Sequence, residues 1–197
     1  VRRIYEPSSH YPVFADLSES VVLLDCVEAL IGPDIIRHYS KINMKPPAIG
    51  SVVEWHQDLS YYPLTNGDSL AVLVYLDDAI VDNGCLKVIP GLHEQPLLDH
   101  TKKGFFQGRI TQFVDETRSV PIEGAAGTAI FLHAMTPHAS GANVSEESRR
   151  TLIISYRAAD AYPIYRGEET ADAGRFEKLV RGKSRREARI TFSRFPI

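Results

Sequence analysis

Val52-Val53-Glu54-Trp55-His56-Gln57-Asp58 reads as a short β-strand carrying two metal-ligand side chains. Alternation along a strand sends residues i and i+2 to one face. His56 and Asp58 can therefore reach a common ion, while Gln57 points the other way unless the chain turns there. Trp55, the single tryptophan of the chain, is expected to pack on the side away from the metal. Two imidazoles and one carboxylate are the protein ligands of a mononuclear iron(II) centre with three open positions, although zinc, manganese or nickel accept the same donors.

On either side of this run the chain reads as short apolar segments separated by turn residues. Residues 35–44 end at Pro46-Pro47, and residues 70–76 follow the turn Thr65-Asn66-Gly67-Asp68. Residues 86–89 lie between Asn83-Gly84 and Pro90-Gly91, residues 128–133 follow Gly124 and Gly127, and residues 150–157 follow a polar loop. Ahead of them Val22, Leu23, Cys26, Val27, Leu30 and Ile31 recur at helical spacing until Gly32-Pro33 stops the helix. One helix followed by many punctuated strands predicts a mainly β domain, a sandwich or barrel.

A length of 197 residues suits one domain with a sizeable core. A formal net charge of -3 gives no overall attraction to nucleic acid or to an anionic membrane. No apolar stretch approaches the roughly 20 residues of a membrane span. Cys26 and Cys85 both sit in apolar runs, so we expect reduced core thiols and a cytoplasmic protein. The start at Val1-Arg2-Arg3, without an initiator methionine, predicts that an N-terminal portion is missing. Residues 92–119 have weak periodicity and read as a lid or mobile segment. Residues 168–197 form a basic C-terminal tail with Arg181, Lys183, Arg185, Arg186 and Arg189 close together. That tail reads as a solvated face or helix, with attraction to an anionic substrate or partner as the alternative.

A third imidazole comes from His133, at the end of an apolar strand, or from His138, which follows Thr136-Pro137 and precedes the small residues Ala139-Ser140-Gly141. His138 is favoured because small neighbours leave room for a co-substrate. Arg149 and Arg150 are adjacent, so only one can face the metal cavity; a guanidinium there would pair with a dicarboxylate co-substrate. His93, after Pro90-Gly91, reads as a turn residue.

Taken together, Glu54-Trp55-His56-Gln57-Asp58-Leu59-Ser60-Tyr61-Tyr62-Pro63, the run Asn83-Gly84-Cys85-Leu86-Lys87-Val88-Ile89-Pro90-Gly91-Leu92-His93, and His138-Ala139-Ser140-Gly141 with Arg149 resemble the phytanoyl-CoA dioxygenase family. The resemblance extends over residues 42–157. It implies a double-stranded β-helix (jelly-roll, cupin-like) and an iron(II)- and 2-oxoglutarate-dependent oxygenase that consumes O2. It also implies hydroxylation of a small-molecule metabolite with release of succinate and CO2. By the same resemblance His56, Asp58 and His138 are the iron ligands, and Arg149 grips the far carboxylate of 2-oxoglutarate with Ser140. Asn43 matches a co-substrate-binding asparagine of the ectoine hydroxylase branch, and Tyr75 falls near a co-substrate wall. Gln57, Tyr61 and Tyr62 are expected to border the substrate pocket.

Competing readings are an exposed strand position for Asn43 and plain core packing for Tyr75. At the level of function they are a cupin-like metal-binding isomerase or hydrolase, or a non-catalytic binding domain of the same fold. Halogenating relatives lack the carboxylate ligand, so Asp58 favours hydroxylation or a related oxidation.

Overall fold

The computed structural model describes residues 2–164 and 175–192. Residues 168–174 and 193–197 of the expected tail lie outside the described residues. The chain opens with strand β1 (Arg3–Tyr5) and three helices, α1 (Pro7–His10), α2 (Pro12–Ser18) and α3 (Val21–Ile31). Then come β2 (Ile35–Lys45), β3 (Val53–His56), β4 (Ser69–Tyr75) and β5 (Leu86–Val88). A small hairpin, β6 (Thr101–Lys102) and β7 (Phe105–Phe106), precedes β8 (Val120–Ile122), β9 (Ala129–His133), β10 (His138–Ser140), β11 (Arg149–Ala158) and β12 (Lys178–Arg181).

These strands make two facing antiparallel sheets. The larger runs β1-β2-β11-β4-β9, with β12 also paired to β2, and the smaller runs β3-β10-β5-β8. Consecutive neighbours such as β11 and β2 are far apart in sequence, as expected when a jelly roll wraps back on itself. The expected mainly β, double-stranded β-helix is the observed fold.

Strand β4 explains why the larger sheet sits in the middle. Leu70, Val72 and Val74 face α3, while Ala71 and Leu73 face the opposite sheet. A strand buried on both faces must be apolar throughout, and Leu70-Ala71-Val72-Leu73-Val74-Tyr75 is. Helix α3 contributes Leu23, Leu24, Val27 and Ile31 to the outer layer, packed on Ile42, Leu152, Ile154 and Tyr156. The apolar residues of α3 cover more than one stripe, and only one stripe meets the sheet. Val22 stays 79% exposed and Leu30 60% exposed. Cys26 is exposed with them, which corrects the expectation that both thiols are in the core; Cys85 alone is buried.

The basic segment after residue 175 forms no helix among its described residues. β12 adds a strand to the edge of β2. Its cations meet carboxylates of this same chain: Arg181 pairs with Asp25 and Glu28, Arg185 with Asp34, and Arg189 with Asp68 and Asp160. Among the described residues no helix is long and apolar enough to cross a membrane.

Candidate metal centre

Strand β3 carries His56 at its end, and β10 carries His138 at its start. The two are register partners across the β3–β10 ladder. Their imidazole centroids are therefore only 4.1 Å apart. Asp58 does not continue the strand, as the alternation argument had it. Gln57 is still extended (φ -120°, ψ 129°), and a single 3-10 turn, Asp58–Ser60, begins straight after it. One extended residue keeps Asp58 on the side of His56, and the turn then leads the chain away. Asp58 Oδ1 lies 3.8 Å from His56 Nε2 and 3.8 Å from His138 Nε2. One ligand atom from each of the three residues lies within 4.8 Å of the other two, close enough for a common ion.

Hydrogen bonds fix which nitrogen faces inward. His56 Nδ1 donates to the Glu54 carbonyl at 2.8 Å, and His138 Nδ1 donates to the Thr136 carbonyl at 3.0 Å. Each Nε2 is then left with its lone pair toward Asp58, the tautomer a metal requires. Burial, and then the neighbouring His138, holds the His56 imidazole well below its usual pKa, so it stays neutral. Burial by itself would raise the Asp58 carboxyl, but the neighbouring His138, Lys41 and His56 draw it below its usual range. Two imidazoles with Nε2 turned inward and a carboxylate make a donor set for a divalent ion such as iron(II).

His133 is not part of this cluster. Its ring lies 5.4 Å from that of His93, and its Nδ1 accepts the Met135 N–H at 3.2 Å. His93 itself sits in the 3-10 turn Leu92–Glu94. Trp55 faces away from the metal, packed with Ile89, Ile110 and Ala139 beneath the 92–119 segment. Gln57 also turns from the cavity, which corrects its assignment to the substrate pocket. Its side-chain amide donates to the Met135 carbonyl at 2.6 Å and accepts the Leu98 N–H at 2.8 Å, while its own N–H donates to His100 Nε2 at 3.1 Å. Gln57 thus pins residues 98–100 and residue 135 around the metal turn.

Behind the metal ligands, the inner face of the larger sheet carries a ladder of polar side chains. Strand register sets Lys45 opposite Arg149, and Asn43 opposite Thr151, which in turn faces Tyr75. Arg149 is only 6% exposed. Its Nη1 donates to Thr151 Oγ1 at 2.6 Å, its Nε has no partner, and no carboxylate lies within ion-pair distance among the described residues. Asn43 Oδ1 is likewise buried without a partner, which argues against an exposed strand position for this residue. Arg150 points outward and clamps Asp77 through both backbone and guanidinium. Ser140 shares the inward face of β10 with His138 and is buried. Tyr75 is fully buried; its hydroxyl donates to the Ile122 carbonyl at 2.7 Å and accepts the Leu86 N–H at 3.2 Å, so it is a packed wall as well as a neighbour of Arg149.

Sequence reasoning missed Lys45. Its ammonium is buried, donates to the carbonyls of Ser51 at 2.9 Å, Ser140 at 3.4 Å and Gly141, and stands beside Arg149. Burial, then the Arg149 charge, pushes its pKa down to about 8. Close packing here depends on Gly84, where φ is +77° and a Cβ would meet the Gly141 carbonyl oxygen at 2.5 Å. Toward the opening, the Tyr61 ring stands edge-on to His56 at 5.6 Å and to Phe106 at 5.1 Å, and its hydroxyl donates to the Gly108 carbonyl. Tyr62 packs against Tyr39 at 5.6 Å and His38 at 5.0 Å.

Fold and site together define a jelly-roll protein with a two-histidine, one-carboxylate centre and, on its inner wall, an arginine that meets no carboxylate among the described residues. Residues 5–151 match the family described as phytanoyl-CoA dioxygenase. The chain belongs to that family. Among its curated relatives is a "Probable alpha-ketoglutarate-dependent hypophosphite dioxygenase" of Stutzerimonas stutzeri, 36% identical over 83% of this chain and 59% of the relative. Another is a methylphosphonate hydroxylase of Gimesia maris, 33% identical over 68% of this chain and 50% of the relative. The chain thus spans between half and three fifths of the length of these two relatives. Among solved structures, EctD from S. alaskensis with 2-oxoglutarate and 5-hydroxyectoine matches at a TM-score of 0.68 and 26% identity, over 80% of this chain and 56% of that one. The apo non-haem monooxygenase ThoJ matches at a TM-score of 0.73 and 27% identity, over 87% of this chain and 62% of that one.

Proposed function

We propose that this chain is the oxygenase domain of an iron(II)- and 2-oxoglutarate-dependent dioxygenase that hydroxylates a small-molecule metabolite. The observation that carries the reading is the pairing of a three-ligand cluster with a buried arginine that has no carboxylate partner among the described residues. A buried guanidinium without a carboxylate is costly unless a ligand supplies one. His56, His138 and Asp58 would hold iron(II), leaving three positions for co-substrate and oxygen. Bound iron with 2-oxoglutarate supplies oxidation of an unactivated C–H bond by O2, with succinate and CO2 as co-products.

The rest falls to the chain's own groups. Arg149, steadied by Thr151, is suited to a bidentate grip on the far carboxylate of the co-substrate. The Lys45 ammonium adds positive charge at that end, and the Ser140 hydroxyl and Asn43 amide lie along the same wall. Tyr61 and the β6–β7 hairpin border the open side of the iron ligands, which keeps water from the reacting face. We read residues 92–119 as the cover of the substrate pocket on that side. The curated relatives named for hypophosphite, methylphosphonate and L-proline support a small substrate over a macromolecule. Two free cysteines, Cys26 and Cys85, are in keeping with a reducing cytoplasm.

The test is succinate release that requires iron(II) and rises with substrate. Release should be lost in His56→Ala and Arg149→Ala. A protein that binds iron(II) but gives no visible charge-transfer band with 2-oxoglutarate under anaerobic conditions would be a different kind of metalloprotein.

A further inference from the structure

A third inner cation, Lys41, has no part in the co-substrate grip proposed above. Lys41 lies two residues from Asn43 on β2 and is register partner to Ile153, whose side chain faces the space between the sheets. Its ammonium stands 5.3 Å from the centre of the Tyr39 ring and makes no hydrogen bond or ion pair among the described residues. It is close enough to the iron ligands for its charge to act on both Asp58 and His56. Next to Tyr39, which packs on Tyr62 and is register partner to Ser155, the Tyr62 and Ser155 hydroxyls are buried close to one another without a hydrogen bond of normal geometry. β1 extends the same face outward, with Tyr5 opposite Lys41 and Arg3 opposite Asn43. Arg3 is exposed, and its charge reaches both Lys41 and Tyr61.

The surroundings of the iron ligands therefore have a cationic side, Lys41 and Arg3, and an aromatic side, with Tyr61 against His56 and the buried Tyr39 and Tyr62 behind Lys41. Asp58 is a carboxylate whose charge reaches Lys41, and in the dioxygenase reading that carboxylate is spent on the metal. Among the described residues Lys41 is then a half-buried ammonium with no counter-charge, which an anionic substrate would supply.

We propose that Lys41, assisted by Arg3 at the rim, receives an anionic head group of the substrate, so that this protein acts on small oxyanion-bearing molecules, phosphonate-like or carboxylate. Tyr62 and Ser155 offer hydroxyl donors to the same oxygens, and Tyr39 backs the ammonium. This inference rests on the dioxygenase reading and narrows its substrate.

The experiment is an anaerobic calorimetric titration of the protein loaded with iron(II) and saturating 2-oxoglutarate, which keeps carboxylates from the Arg149 end. The probes are methylphosphonate, isobutyrate and the neutral isobutyramide. At least one anion should bind about tenfold or more tighter than the amide, the scale of one charge-assisted hydrogen bond. Lys41→Met should bring that ratio to within about twofold, Lys41→Arg should preserve most of it, and Arg3→Met should cost less than Lys41→Met, as expected of an exposed charge. Should Lys41→Met fold poorly, Lys41→Gln replaces it. Tighter methylphosphonate identifies a tetrahedral oxyanion, and tighter isobutyrate a planar one; either supports the proposal.

Equal binding of amide and anions, no binding of either anion, or an unchanged ratio in Lys41→Met overturns it. The 2-oxoglutarate charge-transfer band separates the two levels of inference. Its absence from the wild-type protein counts against the dioxygenase reading, whereas its loss only on Lys41→Met assigns the lysine to the co-substrate and overturns the substrate role.

Discussion

Arg149 and Arg150 are neighbours in sequence and opposites in setting. Arg149, 6% exposed, faces the space between the sheets and finds one hydroxyl, that of Thr151. Arg150 faces outward and holds Asp77 with its Nε 2.9 Å from the carboxylate. The same contrast runs through the molecule. Outside, Arg181, Arg185 and Arg189 each meet a carboxylate of this chain. Among buried cations, Arg37 reaches Glu19, and Arg157 holds Glu177 at 2.9 Å with His38 on the same carboxylate at 2.8 Å. On the inner wall, Lys41, Lys45 and Arg149 have no carboxylate partner among the described residues. A paired cation can be explained as structure, whereas an unpaired one in a dry wall is explained by what the wall binds.

The largest effect should come from the ligands that the inner cations surround. Asp58→Ala or His138→Ala should lose bound iron(II) and reduce turnover more than ~100-fold, beyond the 10–100-fold usual for outer partners; metal analysis after anaerobic loading and succinate assay check it. Next is the paired buried control. Arg157→Met leaves the Glu177 carboxylate with His38 alone and should cost about 3 kcal/mol of unfolding free energy in urea. Arg149→Met should do the reverse. Removing a cation that has no carboxylate partner among the described residues should leave the stability of the ligand-free protein level or higher, while weakening 2-oxoglutarate about 10- to 100-fold. Thermal melts with and without 2-oxoglutarate measure both halves, because a ligand of the folded state raises the melting point. An Arg149→Met protein as unstable as Arg157→Met would break the comparison.

A smaller effect is pH-dependent. Burial alone would raise the Glu177 carboxyl, but hydrogen bonds from His38 and Arg157 bring it to about 2. A depressed carboxylate contributes stability that is fully present above its unfolded value, 4.5 here, and is lost as pH falls toward 2. Glu177→Gln should therefore flatten the loss of stability across that window, read from urea midpoints. The smallest effect belongs to the outer pair. Arg150→Gln should cost less than about 1 kcal/mol and leave 2-oxoglutarate affinity unchanged.

Different parts of this molecule were legible for different reasons. The segments that became β2, β4, β9 and β11 were readable because apolar runs between glycine and proline turns have few other ways to fold. The short helices α1 and α2, and the added strands β1 and β12, were not, because runs of three to seven residues carry too little periodicity to register. Cys26 was misread for a related reason: helical spacing identified α3, but which stripe faces the sheet is decided by packing.

By itself the sequence determined the donor chemistry: two histidines, an aspartate and an arginine, in family-like runs, with strands to carry them. Residue type sets what a side chain can ligate or pair with, and that is independent of fold. Only the tertiary structure decided that His138 rather than His133 stands across the ladder from His56. It also decided that Arg149 faces inward, that Gln57 braces backbone instead of lining a pocket, and that Lys41 and Lys45 join the inner wall. Those outcomes depend on register between strands distant in sequence, where shifting the pairing by one residue would turn every side chain to the other face.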